Sequence, residues 1–525
     1  MNTFTLGLIV LLYLFSLAYL GWLGYRKTSS ASDYLVGGRE MNPIIMALSY
    51  GATFISASAI VGFGGVSAAF GMGIQWLCLL NMFVGVIVAF IFFGLRTRRM
   101  GAKMGVSTFP QFLGKYYGSR NVRVFVALIV FITMPVYAAV VMKGGAVFIE
   151  QIFHVDYNIS LLIFTLVIAA YVIAGGIKGV MYTDALQACI MFICTAFLLF
   201  YLYAYVLDMG FTEANVQLGN LSSSVPDKFR TLGHQGWTMM PVTGSPQWYT
   251  LVTSLILGVG IGCLAQPQLV VRFMTVKSGK ELKRGVFIGC LFIAVTVGSV
   301  YHTGPLSNLY FMKTQGMVAT QVVPDIDKII PYFIDHAMPS WFSALFMLCI
   351  LSASMSTLSS QFHTMGSALG SDIVGAYRQN GSKHSRIIRL GVLISIIVSY
   401  IICYMLPNDI IARGTSMFMG LCAVAFLPAY FCALYCKNVT RRAAMASIIT
   451  GTVAMTFCLL FVHEKESGAI GLCQTFFGRD ALIDVYPFQM IDPILYALPL
   501  SIIAIIVFTL IDKRASAVKE EVEQC

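Results

Sequence analysis

Between Leu348 and Ile373 the chain reads LCILSASMSTLSSQFHTMGSALGSDI, and Ser352, Ser356, Ser359, Ser360 and His363 recur in it at spacings of three and four. On a helix that spacing sets them along one stripe, bordered by Ala353 and Thr357. Hydroxyls gathered in this way offer hard, neutral oxygens, which suit a small cation such as sodium without the cost of burying carboxylates. Ser and Thr bonding back to their own helix carbonyls is the competing use of the same residues.

Three other stretches carry polar groups where apolar ones are expected. In SYGATFISASAIVGFGG, Ser49 to Gly65, the glycines and small hydroxyls of Gly51, Ser56, Ser58, Gly62, Gly64 and Gly65 weaken a helix. They serve either close helix packing or a break whose freed carbonyls meet an ion. In AGGIKGVMYTDALQ, Ala174 to Gln187, Gly175 and Gly176 mark a short connection and Asp184 follows about one turn into the next apolar run. Its carboxylate either caps that helix or completes a cation site. Lys143, in VVMKGGAVFIE, either snorkels and pairs with Glu150 at i+7 or stands as a fixed positive charge that favours an anionic solute.

The elements that must hold these groups follow from composition. Of 525 residues, 58% are hydrophobic and 11% charged, and the mean hydropathy of +0.81 excludes an ordinary soluble globule. Apolar runs of about 20 residues select membrane-spanning helices over a barrel. Thirteen are expected, at 4–24, 43–71, 74–95, 123–152, 158–176, 184–207, 247–270, 285–304, 339–368, 387–406, 415–435, 442–462 and 490–512. The first is a retained helix, with neither the basic start nor the cleavage site of a signal peptide. The 13 cysteines lie scattered in apolar runs with no C-x-x-C pair, which argues against a zinc site or a disulfide framework.

Alternate loops divide the 34 basic residues unequally: 26 fall on the face that includes Arg96, Lys103, Arg120 and Arg272, and seven on the other, leaving Lys143 within a helix. Basic loops stay in the cytoplasm, so the N-terminus is expected outside and the C-terminus inside. The net charge of +11 belongs to this asymmetry, and no nucleic-acid partner is implied.

Taken together these segments resemble the sodium:solute symporter family, which includes proline, pantothenate, sialic acid and galactose carriers. GATFISAS is similar to its first core helix, GGIKGVMYTDALQ to its signature connection, AQPQLVVRFM to its Q-P-x-x-x-R-F segment and SASMSTLSSQ to its sodium-binding helix. The resemblance implies an all-α, leucine-transporter-like core of two inverted repeats, each opening with a helix broken at midplane, the second in LGVGIGCLAQPQ. The organisation expected is a first helix and cytoplasmic loop (1–42), a first repeat (43–207), an external loop (208–246), a second repeat (247–435), peripheral helices (436–512) and a cytoplasmic tail (513–525).

Carried over residue by residue, the resemblance implies a main sodium site from the carbonyls of Ala52, Ile55 and Ala353 with the hydroxyls of Ser356 and Thr357. A second sodium would use Asp184, Ser356, Ser359 and Ser360. The solute pocket and gate would involve Thr53, Ser56, Ser58, Tyr137, Lys143, Val259 and Gln266. The expected activity is sodium-coupled import of a small organic solute by alternating access, with no cofactor, no metal besides sodium and no enzymatic step. The protein is expected to act as a monomer in the bilayer of the plasma membrane. The ISAS run is closer to the pantothenate carriers, and with Lys143 it favours a small carboxylate. Proline, another amino acid or a sugar is the alternative, and a solute receptor without transport is the reading from another class.

Overall fold

The structure, a computed structural model, describes residues 3–27, 31–172, 177–377 and 384–524. Gly175 and Gly176 of the expected connection lie outside the described residues. The membrane helices in chain order are α1 (Thr3–Arg26), α2 (Pro43–Phe54), α3 (Ser58–Phe70), α4 (Met72–Met104), α5 (Arg120–Phe153), α6 (Tyr157–Val172), α7 (Ile177–Leu207) and α8 (Pro246–Ala265). They continue with α9 (Pro267–Phe273), α10 (Gly279–Gln315), α11 (Ser340–Val374), α12 (His384–Met405), α13 (Ile411–Tyr435), α14 (Arg441–Phe461) and α15 (Ile494–Gln524). Among the described residues, 11 helices are long and apolar enough to cross a bilayer, and the bent pair α2 and α3 supplies one more. The shorter α6 fills the remaining expected position.

Each expected break is present, and neither falls on a glycine. Asn42 caps α2 by accepting the Ile44 N–H at 2.8 Å, with Pro43 at the first helical position. Ile55 is extended (φ −93°, ψ 97°) and ends the helix, and α3 leaves at 56° to α2. At the second break Gln266 is extended (φ −69°, ψ 121°) because Pro267 disfavours a helical residue before it and then starts α9. The glycines allow close approach instead: a Cβ on Gly262 would lie 2.3 Å from the Met419 carbonyl oxygen on α13. Packing and breaking, separate alternatives in the sequence, are therefore divided among neighbouring residues.

The core helix is α11, whose apolar window is 94% buried, and it packs on α2, α5 and α7. The peripheral α1 sends Tyr13 inward, where its hydroxyl receives hydrogen bonds from Ser352 (3.0 Å) and Gln187 (3.2 Å). Three departures from expectation bear on the site. Helix α10 runs eleven residues past its expected end at 304, joined there by aromatic contacts of Phe311 with Tyr332 and Phe333. Asp184 is the eighth residue of α7, so it lies two turns in rather than one. Arg272, assigned above to a loop, is 2% exposed at the end of α9.

Candidate functional site

Where α2 ends, its last carbonyls have no partner within the helix. The hydroxyl stripe of α11 meets them. Ser356 Oγ donates to the Ala52 carbonyl at 2.8 Å and lies 3.2 Å from the Ala353 carbonyl. Thr357 Oγ1 donates to the Thr53 carbonyl at 3.0 Å and lies 3.5 Å from that of Ala52. Four of the five residues expected at the main sodium site thus come together, with the Thr53 carbonyl in addition. Neither hydroxyl bonds to the Ile55 carbonyl, and the Ile55 N–H is used by Gly51 at 2.8 Å. A sodium ion among these oxygens would take the lone pairs of hydroxyls whose protons now point at carbonyls. It would thereby tie the broken helix to α11.

Next to this cluster lies a buried ion pair. Arg272 Nη2 stands 2.8 Å from Asp184 Oδ2 and 2.5 Å from both Thr53 Oγ1 and Ser360 Oγ, while Nε donates to Ser49 Oγ at 3.0 Å. Ser49 also donates to Asp184 Oδ2 at 2.7 Å. One guanidinium therefore joins α2, α7, α9 and α11 with a satisfied set of donors. Asp184 and Ser360, expected at a second sodium, meet through it. Ser359 does not join them; its hydroxyl bonds back to the Ser356 carbonyl at 3.1 Å, a bond that Ser360 makes at 3.0 Å in addition to accepting from Arg272. Asp184 Oδ1 is buried without a hydrogen-bond partner. Arg272, Ser49 and Tyr13 were absent from the expected site, although Arg272 stood within the quoted AQPQLVVRFM.

Below the ion pair is a small cavity of about 30 Å³ bordered by Thr108, Gln268, Arg272, Ser360, His363 and Asp372. It lies on the side of the basic loops. Asp372, in its lining, accepts from Arg123 Nε at 3.0 Å and from Thr108 Oγ1 at 2.9 Å.

The expected solute residues separate into groups. Thr53 faces the ion pair through its hydroxyl. Ser56 Oγ accepts the Ser58 N–H at 3.2 Å and interacts with the Tyr137 hydroxyl, whose ring stacks on Phe418 with centroids 4.8 Å apart. Ser58 Oγ is buried with no partner. At the second break Gln266 Oε1 accepts from Gln268 Nε2 at 2.5 Å, leaving Gln266 Nε2 buried and unpaired. Val259 is buried in α8. Lys143 is turned elsewhere: its ammonium donates to the carbonyls of Pro407 (2.6 Å) and Leu406 (3.2 Å), capping the end of α12. The expected partner Glu150 pairs instead with Lys328 at 3.0 Å.

Comparison with known proteins gives a consistent neighbourhood. The profile of the sodium:solute symporter family matches residues 34–451. The chain is 27% identical over 442 residues to the high-affinity proline transporter PutP of Bacillus subtilis, covering 83% of this chain and 88% of that one. It is 27% identical to the osmoregulated proline transporter OpuE of the same organism, over 87% and 89% of the two chains. A sodium/proline symporter of Haemophilus influenzae is 22% identical over 85% and 86%. Among solved structures, a Na+-coupled sialic acid symporter superposes with a TM-score of 0.74 at 17% identity, covering 96% and 97%. A nucleobase-cation-symport-1 transporter gives 0.53 at 12% identity over 92% and 96%. These superpositions show the leucine-transporter-like fold.

Proposed function

The chain belongs to the sodium:solute symporter family, and on that premise we propose that it imports L-proline or a closely similar small amino acid together with sodium. It is a multi-pass carrier of the plasma membrane with sodium as its coupling ion, and not an enzyme. The proline alternative replaces the small carboxylate as the leading solute. The related curated carriers named above are proline transporters, and the Lys143 charge that favoured an anion is spent on two carbonyls.

The observation that carries the coupling is the contact of Ser356 and Thr357 with the carbonyls of Ala52 and Thr53. Sodium at Ala52, Ile55, Ala353, Ser356 and Thr357 would hold α2 against α11 and favour one arrangement of the repeats 43–207 and 247–435. The solute, beside Ser56, Ser58, Tyr137, Val259 and Gln266, would favour the exchange to the other. Such coupling is a difference in affinity between two states. A second sodium remains part of the proposal, since the free Asp184 Oδ1 leaves one carboxylate oxygen for it. The basic-loop face is assigned to the cytoplasm, with the N-terminus outside and the cavity beside Arg272 as the inner exit. The carrier is proposed to act as a monomer.

Uptake of labelled L-proline, pantothenate and a hexose into proteoliposomes, under sodium, proton or no gradient, tests this reading. Sodium-dependent proline uptake is expected. Sodium-driven pantothenate uptake without proline uptake would restore the carboxylate.

A further inference from the structure

At the end of the bundle opposite the basic loops, the turn Ile326–Lys328 lies across the half-helix α3. A Cβ on Gly65 would stand 2.0 Å from the Ile326 carbonyl oxygen, so only glycine allows the approach. From the corner between α12 and α13, Asp409, held at φ 56°, accepts the Ile326 N–H at 2.6 Å. In the other direction Asp327, 2% exposed, accepts the Ile411 N–H at 3.3 Å in the first turn of α13. Lys328 reaches Glu150 on α5 at 3.0 Å. The turn is thus fastened to α3, α5 and α13, and two of the fastenings are carboxylates receiving backbone N–H groups.

The carboxylates crowd one another. Asp325 Oδ1 accepts the Asp327 N–H at 3.1 Å while Asp409 Oδ1 accepts the N–H of the adjoining Ile326, so the two carboxylates converge on neighbouring residues of the turn. Asp327 feels both neighbours. The facing cations are committed elsewhere. Lys143 of α5 acts on Asp327 while donating to Leu406 and Pro407, and Lys328 acts on Asp325 while paired with Glu150. Arg413 of α13 donates to the Asp409 carbonyl at 3.3 Å and pairs with Glu466 at 3.3 Å. Asp335 and His336 of the helix that follows lie 3.7 Å from one another, and α3 contributes no titratable side chain.

We propose that Asp325, Asp327 and Asp409 form a proton-operated latch on an outer lid: with a proton bound the Ile326–Lys328 turn stays on α3 and α13, and with the proton lost it lifts. Burial first, then the neighbouring Asp325 carboxylate, pushes Asp327 up to about 7, and burial and Asp409 raise Asp325 as well. A carboxyl that binds its proton more tightly in the closed lid than in open water favours closure below about pH 7. That preference is lost as pH rises through about 7, by at most about tenfold in the closed-to-open ratio per pH unit for one proton. The carboxylates act as positioning residues for the lid and do not touch the solute.

The latch rests on reading the chain as an alternating-access carrier, so one arm of the test needs no solute. Hydrogen exchange is measured in lipid nanodiscs at about pH 6 and about pH 8, with intrinsic rates divided out; peptides spanning 316–339 and 407–414 should be at least about threefold better protected at the lower pH. Asp327→Asn, which keeps the acceptor and removes the charge, should be equally protected at both, with Asp325→Asn as the second variant. Equal protection of the wild type at the two pH values overturns the latch, as does a wild-type pH response in both variants. In the transport arm, proline entry into proteoliposomes at fixed internal pH should rise by about threefold from external pH 6 to 8 in the wild type and stay level in Asp327→Asn. The expected exchange pattern without proline uptake supports the latch and counts against proline as the solute; proline uptake indifferent to external pH overturns the latch.

Discussion

The Arg272 guanidinium and the Asp184 carboxylate meet at 2.8 Å in the interior of the bundle, with side chains 2% and 0% exposed. Removing one partner leaves a buried charge, which costs about 3–5 kcal/mol, whereas removing both leaves polar groups only. Arg272→Met and Asp184→Asn should each lower the thermal midpoint of the purified protein, and the double variant should recover most of the loss. Additive losses would show that the two groups do not act as a pair.

Sodium bound at the end of α2 stabilises the folded carrier in proportion to its occupancy. The midpoint should rise with sodium and not with potassium. Ser356→Ala and Thr357→Ala should each weaken that response by roughly tenfold in concentration, the equivalent of about 1.4 kcal/mol for one lost ligand. Unchanged sodium titrations in both variants would move the ion away from α11.

Lys143→Met should leave solute affinity unchanged. Its effect should be on stability, a loss of about 1–3 kcal/mol, because the carbonyls of Leu406 and Pro407 lose a charged donor. Competition binding and a melting curve on the same preparation separate the two. A large fall in affinity with an unchanged melt would bring Lys143 back to the solute.

Gly262→Ala tests the glycine-mediated contact. The new methyl would press on the Met419 carbonyl, and moving α13 to admit it should cost about 1–3 kcal/mol. A melting temperature equal to that of the wild type would mean that α8 and α13 separate freely at this point.

The helices and the hydroxyl stripe were legible in the sequence because apolar length and a spacing of three and four are local properties. The cation cluster was legible in type for the same reason: Ser356 and Thr357 needed only a facing helix end. What local pattern could not supply was the partner of each charge. Arg272 sits at the edge of an apolar run and reads as a loop residue; only the fold brings Asp184 to it from 88 residues away. Lys143 reads as a partner for Glu150 or as a fixed charge facing the solute until the end of α12 arrives beside it. The glycines before Gln266 suggested the place of the second break within a few residues. Pro267 decided it, through its effect on the residue before.

The contact of Tyr13 with Ser352 has a consequence for biogenesis. The two residues are separated by 339 positions, so α1 leaves the ribosome long before its hydrogen-bond donor on α11 has been synthesised. Before that, Gln187 on α7, 174 positions away, is its first partner. The first helix to enter the bilayer can therefore dock on α7 first, and the hydrogen bonding of its phenol is completed only when the ninth span arrives.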